Sequence, residues 1–175
     1  MELAKGIQVI DTHTMGEPTR IIVGGIPKIE GGSLAEKRDY LANHLDYIRT
    51  ATMLEPRGHK DMFGCILTEP VNPTADLGVI FMDGTGYLNM CGHSIIGVAA
   101  AAVQTGIVAV KEPYTEIMIE TCAGLVNSRV KVENNKVKEV SFINVPAFVY
   151  QRNVTIDLPS LGAVTFDIAF GGNFI

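Results

Sequence analysis

At 175 residues, 47% of them hydrophobic, the chain carries enough apolar material for one real core and the beginning of a second. Its formal net charge of −5, with 14 Lys and Arg scattered among 19 Asp and Glu, offers no electrostatic footprint for nucleic acid or an anionic membrane, so a small molecule is the expected partner. The segment Met1 to Gln8 lacks a basic stretch followed by an apolar run, and no segment reaches the roughly 18–20 apolar residues of a membrane span, which makes a cytoplasmic protein the expectation.

In chain order, Ile7 to Ile10 and Arg20 to Val23 read as short strands. Between them, Asp11-Thr-His-Thr-Met-Gly-Glu-Pro-Thr19 reads as an irregular polar loop marked by Gly16 and Pro18. Ser33 followed by Glu36 has capping-box spacing, and Leu34, Leu41, Leu45 and Ile48 recur at helical intervals, which predicts one amphipathic helix. The turn-rich Glu55-Pro-Arg-Gly-His-Lys-Asp-Met-Phe63 leads into a strand over Cys65 to Thr68, and Leu77 to Met82 form a continuous apolar strand. From Gly92 to Gly106 the sequence is apolar nearly all round and rich in alanine, predicting a helix buried on every side.

Beyond that helix, Glu116 to Glu120, Leu125 to Glu133 and Val137 to Ile143 alternate as half-buried strands, with Asn134-Asn135 as a two-residue hairpin turn. Val154 to Leu158 and Ala163 to Phe170 predict two further strands after Pro146. The chain ends in Gly-Gly-Asn-Phe-Ile175 without a capping or polar tail, and strands left so exposed read as an interrupted fold. A boundary near Asn144-Val-Pro146 divides a first lobe, residues 1–143, from the start of a second, residues 144–175. Strands around one apolar helix predict an α+β lobe with its sheet wrapped about that helix.

Cys65, Cys91 and Cys122 are odd in number, widely spaced and without a C-x-x-C pair, so free thiols are expected rather than disulfides or a zinc knuckle. Cys65 and Cys122 read as buried thiols. Cys91 differs, because Asn89-Met-Cys-Gly-His-Ser94 stands where a loop enters the buried helix. Unpaired amides and the positive helix end would stabilise a thiolate there and lower its pKa, and the amides of Gly92, His93 and Ser94 could hold a carboxylate beside the sulfur. Two roles are open to His93: exchanging a proton or hydrogen bond with the thiol, or capping the helix and pointing at the sheet. A tight turn into a core helix, with Cys91 a packed small residue, is the structural alternative. The sequence holds no P-loop or G-x-G-x-x-G pattern. His13 and His59, with Asp11, Glu17, Glu55 and Asp61, match no metal-ligand spacing and read as loop residues.

The run Asp83-Gly-Thr-Gly-Tyr-Leu-Asn-Met-Cys-Gly-His-Ser94, followed by Ile96-Gly97, resembles the first catalytic motif of the proline racemase family, usually written M-C-G-H-G-T-I-G. Asp11-Thr-His-Thr-Met-Gly-Glu-Pro-Thr-Arg20, Glu55-Pro-Arg-Gly-His59 with Asp61-Met-Phe63, and Asn144-Val-Pro146 resemble further blocks of that family in the same order, and the clostridial type most of all. The resemblance implies a diaminopimelate epimerase-like lobe, a mixed β-sheet or barrel around a central helix. It also implies a cofactor-independent racemase that interconverts L- and D-proline, in which two cysteines flank the α-carbon. By matching positions, Cys91 would be the first of that pair and His93 its companion. Gly92, His93 and Ser94 would bind the carboxylate, and Phe63 and Leu88 would line the apolar side of the ring, with core packing as the alternative for those two.

The family's second motif, D-R-S-P-C-G-T-G, does not occur in the sequence, so a racemase cycle cannot be completed by these residues and the polypeptide alone is expected to be inactive or nearly so. Relatives of the 4-hydroxyproline epimerase and trans-3-hydroxyproline dehydratase kinds share the first cysteine and remain alternatives. Ser94 and Ile95 stand where the motif has Gly-Thr. A non-catalytic lobe that binds an imino-acid carboxylate or pairs with a second copy is the alternative from another class. A cysteine-nucleophile hydrolase is a third, for which the only oxyanion hole would be the same helix terminus.

Overall fold

The computed structural model describes residues 6–175. Seven strands form the path of one sheet in the order β1 (Gln8–Thr14), β2 (Glu17–Gly24), β3 (Phe63–Thr68), β4 (Leu77–Asp83), β6 (Tyr114–Thr121), β7 (Gly124–Glu133) and β8 (Lys136–Ile143), and the short β5 (Tyr87–Leu88) pairs with β4. The β2–β3 and β4–β6 pairs are parallel and the rest antiparallel. Helix α3 (Gly92–Gln104) packs against strands at both ends of the sheet, β1 and β8, as well as β2, β3 and β7, so the sheet curls around it.

The composition of α3 explains this placement. Ile95, Val98, Ala99, Ala101, Ala102 and Val103 are buried with Ile21, Cys65, Val79, Phe81, Ile117, Ile119 and the inward residues of β7. No residue from Gly92 to Val103 is exposed, as expected of a helix without a polar face. Gly97 lets the strands come close, since a Cβ there would lie 2.5 Å from Thr12 Oγ1. The opposite face of the central strands is covered by α1 (Leu34–His44) and α2 (Tyr47–Met53), which bury Leu34, Leu41, Ile48 and Met53 against Ile22, Ile66, Ile80 and Met82. Strand β4 is continuously apolar because both of its faces are covered. A separate two-stranded sheet joins β9 (Phe148–Leu158) to β10 (Gly162–Phe170) and leaves Phe148, Tyr150 and the following Phe174 exposed.

Several local expectations hold. Ser33 Oγ accepts from the Glu36 amide at 3.1 Å at the start of α1. Asn134 and Asn135 both have positive φ, 53° and 57°, as a primed hairpin turn requires. Others are corrected. The polar stretch from Asp11 to Thr19 is mostly strand, with Thr14 facing Glu17 across a turn at Met15 and Gly16, whose φ values are 52° and 100°. Its polar composition suits the sheet's edge strand. The predicted single helix is two, broken at Leu45 and Asp46, where the Asp46 carboxylate turns to both Nε and Nη2 of Arg49 at 2.8 Å. Cys122 is half-buried rather than buried, and its thiol contacts Leu34 O at 3.4 Å.

Candidate active site at the start of the central helix

Cys91 is the N-cap of α3, with extended backbone (φ −144°, ψ 113°), and its carbonyl accepts from the Ile95 amide at 3.0 Å. Extended backbone at the cap turns its side chain toward the unpaired amides of the first helical turn. The Cys91 side chain makes no capping hydrogen bond, but the nearby Ser94 hydroxyl and the amides of Ser94 and His93 all favour the thiolate. Cys91 is only 8% exposed, and burial, with a smaller push from the Asp83 carboxylate, outweighs those donors. The thiol pKa lies above its ordinary value, which corrects the lowered value expected from the helix terminus alone.

His93 lies beside the sulfur. Its Nδ1 is 3.4 Å from Cys91 Sγ and its Nε2 is 3.3 Å from Pro18 O. A carbonyl only accepts, so in the neutral ring Nε2 carries the hydrogen and Nδ1 presents a lone pair to the thiol. Phe63, the first residue of β3, meets the imidazole in a T-shaped contact at 4.8 Å, and Thr14 Oγ1 donates to His93 O at 2.9 Å. The imidazole does both things open to it: it touches the thiol and it reaches the sheet, at Pro18 O on β2 and Phe63 on β3.

Cys91, His93, Ser94 and Phe63 are thus brought together. Leu88 sits in β5, opposite Phe81, half-buried against the cluster that contains Met90 and Cys91. The space that Gly92 leaves is filled by Phe142 of β8, whose Cζ is 3.3 Å from where a Cβ would be. Ser94 is fully buried, with its hydroxyl 3.0 Å from Thr19 Oγ1, and Ile95 is fully buried in the apolar cluster that also holds Met90 and Cys91.

Sequence reasoning did not find the supports contributed by distant segments: Thr14, Pro18 and Thr19 from the β1–β2 hairpin, and Asn173 from the chain's last residues. Asn173 Oδ1 accepts from the Asn89 amide at 3.0 Å while its Nδ2 donates to Met90 O at 2.7 Å, gripping the backbone just before Cys91. The only local signals were a Ser inside an otherwise apolar helix and a Gly-Gly-Asn run after the last strand. Among the described residues no three His, Cys, Asp or Glu side chains lie close enough to hold a metal ion. His13 Nδ1 accepts from the Gly16 amide, His59 Nδ1 accepts from the Asp61 amide, and Asp11 holds Arg20 in a two-point ion pair. No helix among the described residues is long and apolar enough to cross a membrane.

A family model described as proline racemase matches residues 9–175. The chain belongs to the proline racemase family. The proline racemase of Clostridioides difficile is 58% identical over 174 residues, which cover 99% of this chain and 52% of that protein. The 4-hydroxyproline 2-epimerase of Streptosporangium roseum is 45% identical over 174 residues, covering 99% of this chain and 52% of the relative. Among solved structures, a hydroxyproline epimerase from Agrobacterium vitis with bound trans-4-hydroxy-L-proline superposes with a TM-score of 0.88 at 30% identity, over 99% of this chain and 52% of the epimerase. This proline racemase-family chain therefore has the diaminopimelate epimerase-like curled sheet around a central helix, and it spans about half the length of the curated relatives it matches.

Proposed function

We propose that this chain supplies one catalytic half of a proline racemase-type isomerase, with Cys91 as one of the two thiols that work on opposite faces of the substrate α-carbon. The Cys91 thiolate takes the α-hydrogen of one enantiomer and becomes the thiol. A second thiol, from outside these residues, delivers a proton to the opposite face and is left as thiolate, so charge and protons balance. The reverse cycle exchanges the roles. The observation that carries this reading is the half-buried meeting of Cys91 Sγ with His93 Nδ1, at 3.4 Å, above the amides of the first turn of α3.

In this reading the amides of Gly92, His93 and Ser94 receive the substrate carboxylate, and Phe63 and Leu88 face the apolar ring. A thiolate whose pKa is raised by burial is less populated but a stronger base, which suits a weakly acidic α-hydrogen. The reaction draws on no metal, pyridoxal phosphate or nucleotide. The lobe division at residues 143 and 144 and a cytoplasmic setting belong to the same proposal.

The greater identity to a clostridial proline racemase than to a 4-hydroxyproline epimerase favours proline over hydroxyproline as substrate. Alkylation of Cys91 by iodoacetamide, followed by peptide mass spectrometry, tests the site. Proline should slow it saturably, and more strongly than trans-4-hydroxy-L-proline, with Cys122 unaffected. A Cys91 rate indifferent to every imino acid would remove the reading, and stronger protection by hydroxyproline would redirect it to the epimerases. The exposed Phe148, Tyr150 and Phe174 favour a second reading, a non-catalytic lobe that pairs through this face with a second copy. A stable dimer that leaves Cys91 unprotected by proline would select it.

A further inference from the structure

Lys37, the fourth residue of α1, is only 7% exposed, and the chemistry at Cys91 makes no use of it. Its Nζ crosses to the end of β3, donating to Glu69 O at 2.6 Å and to Thr68 Oγ1 at 3.3 Å. An ammonium carries three N–H groups. Among the described residues nothing accepts the third, and no carboxylate pairs with the charge. Glu36, the acidic side chain in the first turn of α1, is taken up instead by the Gly32 amide at 2.8 Å.

Two circumstances make that charge costly. It is withdrawn from most of its water without a counter-ion. It also springs from the start of α1, and because helical side chains slant toward the amino terminus it leans to the positive end of the helix dipole, where cations are disfavoured. Lys37 borders an open cleft of about 460 Å³ between the segment 26–31 and the end of β3, and Ile26, Pro27 and Leu67 give that cleft an apolar wall. Lys28, Glu30 and Glu69 line it too, but all three are exposed to water and salt that screen them, so the buried ammonium governs the interior.

We propose that this cleft is a second small-molecule site, which takes a carboxylate carrying a compact apolar body. One carboxylate oxygen accepts the third Lys37 N–H and supplies the counter-charge, while the body lies on Ile26, Pro27 and Leu67. A neutral ligand of the same shape would bring no counter-charge, and a carboxylate without the body would leave the apolar wall wet, so both features are needed. Helix α1 covers the face of the sheet opposite α3, so the site is separate from Cys91 and the inference does not rest on how Cys91 is read.

The probe is hexanoate, added to the full chain at constant ionic strength, with thermal unfolding as the readout. At about ten times its dissociation constant it should raise Tm by about 3–6 °C and saturate. Acetate at the same concentration should raise Tm less, and hexanamide should not raise it. Lys37→Met keeps the stem, loses the charge and should abolish the hexanoate shift. Should that variant fail to fold, Ile26→Trp fills the cleft with Lys37 in place and should abolish the shift as well. Cys91→Ser should respond like the parent, which separates this site from carboxylate binding at the start of α3. An equal shift from acetate or hexanamide, a shift that survives in Lys37→Met or Ile26→Trp, a shift lost in Cys91→Ser, or no saturable shift at all overturns the proposal.

Discussion

Replacing Asn173 by alanine tests how the end of the chain holds the site. The Asn173 side chain makes two hydrogen bonds to the backbone before Cys91, 3.0 Å from the Asn89 amide and 2.7 Å to Met90 O, and both are partly buried. Each such bond contributes about 1 kcal/mol net, so Asn173→Ala should cost about 2 kcal/mol. Asn89 keeps its other anchors, since its Oδ1 still accepts from Arg38 at 2.6 Å and its carbonyl from the Ala123 amide at 3.3 Å. The loosening should therefore concentrate on Met90 and Cys91. If it appears as local opening, about 2 kcal/mol corresponds to about a thirtyfold gain in the opened population. Cys91 alkylation, measured above the thiol's midpoint, should accelerate toward that limit while Cys122 keeps its rate. Asn173→Asp retains the acceptor but sets a carboxylate oxygen against Met90 O, so it should be as damaging at neutral pH and recover partly once protonated. Unchanged Cys91 reactivity and an unchanged urea midpoint in Asn173→Ala would refute the clamp.

Gly97→Ala, which in an exposed helix would gain about 1 kcal/mol, should instead lose about 1–3 kcal/mol because the new Cβ meets Thr12 Oγ1 at 2.5 Å, as urea unfolding will read. Arg20→Lys should cost about 1–2 kcal/mol in the same assay, because lysine cannot reproduce the fork that grips both Asp11 oxygens and reaches the carbonyls of Thr52 and Arg57. Folding also raises the thiols of Cys65, Cys91 and Cys122, the last to about 11, all mainly by burial. Their contribution to stability is fully present below the unfolded thiol pKa of about 8.5 and is lost as pH rises through the folded values. Unfolding free energy should thus fall between about pH 8.5 and pH 11, and Cys65→Ala should make that slope shallower.

What the sequence made legible was what depends on neighbours along the chain. The apolar character of Gly92 to Gly106, the Ser33 cap and the Asn134-Asn135 turn each declare themselves within a few residues, and each stands in the structure, except that the helix ends at Gln104 and residues 104–106 are exposed. The hairpin at Met15-Gly16 did not, because polar residues on an edge strand look like loop until the partner strand is known. The break between α1 and α2 was hidden by apolar spacing that runs on through Leu45 and Ile48, while the Asp46–Arg49 pair that accompanies it is a matter of side-chain geometry.

Cys91 and His93 were legible as a pair because they are two residues apart at a helix start. Their supports were not: Pro18, Thr19 and Thr14 lie 75 to 79 residues away, and Asn173 lies 83 residues from Met90. The sign of the thiol's pKa shift was misread for the same reason. The helix terminus is visible in the sequence, whereas the burial that outweighs it is a product of the whole curled sheet.

The measurement that bears most directly on the central claim is exchange of the proline α-hydrogen with deuterium oxide, followed by NMR. It should be made with this chain supplemented by the carboxy-terminal half of the C. difficile proline racemase as a separate polypeptide. The account predicts exchange by the mixture, none by either half alone, and its loss in Cys91→Ser. Exchange that survives Cys91→Ser undiminished would contradict it.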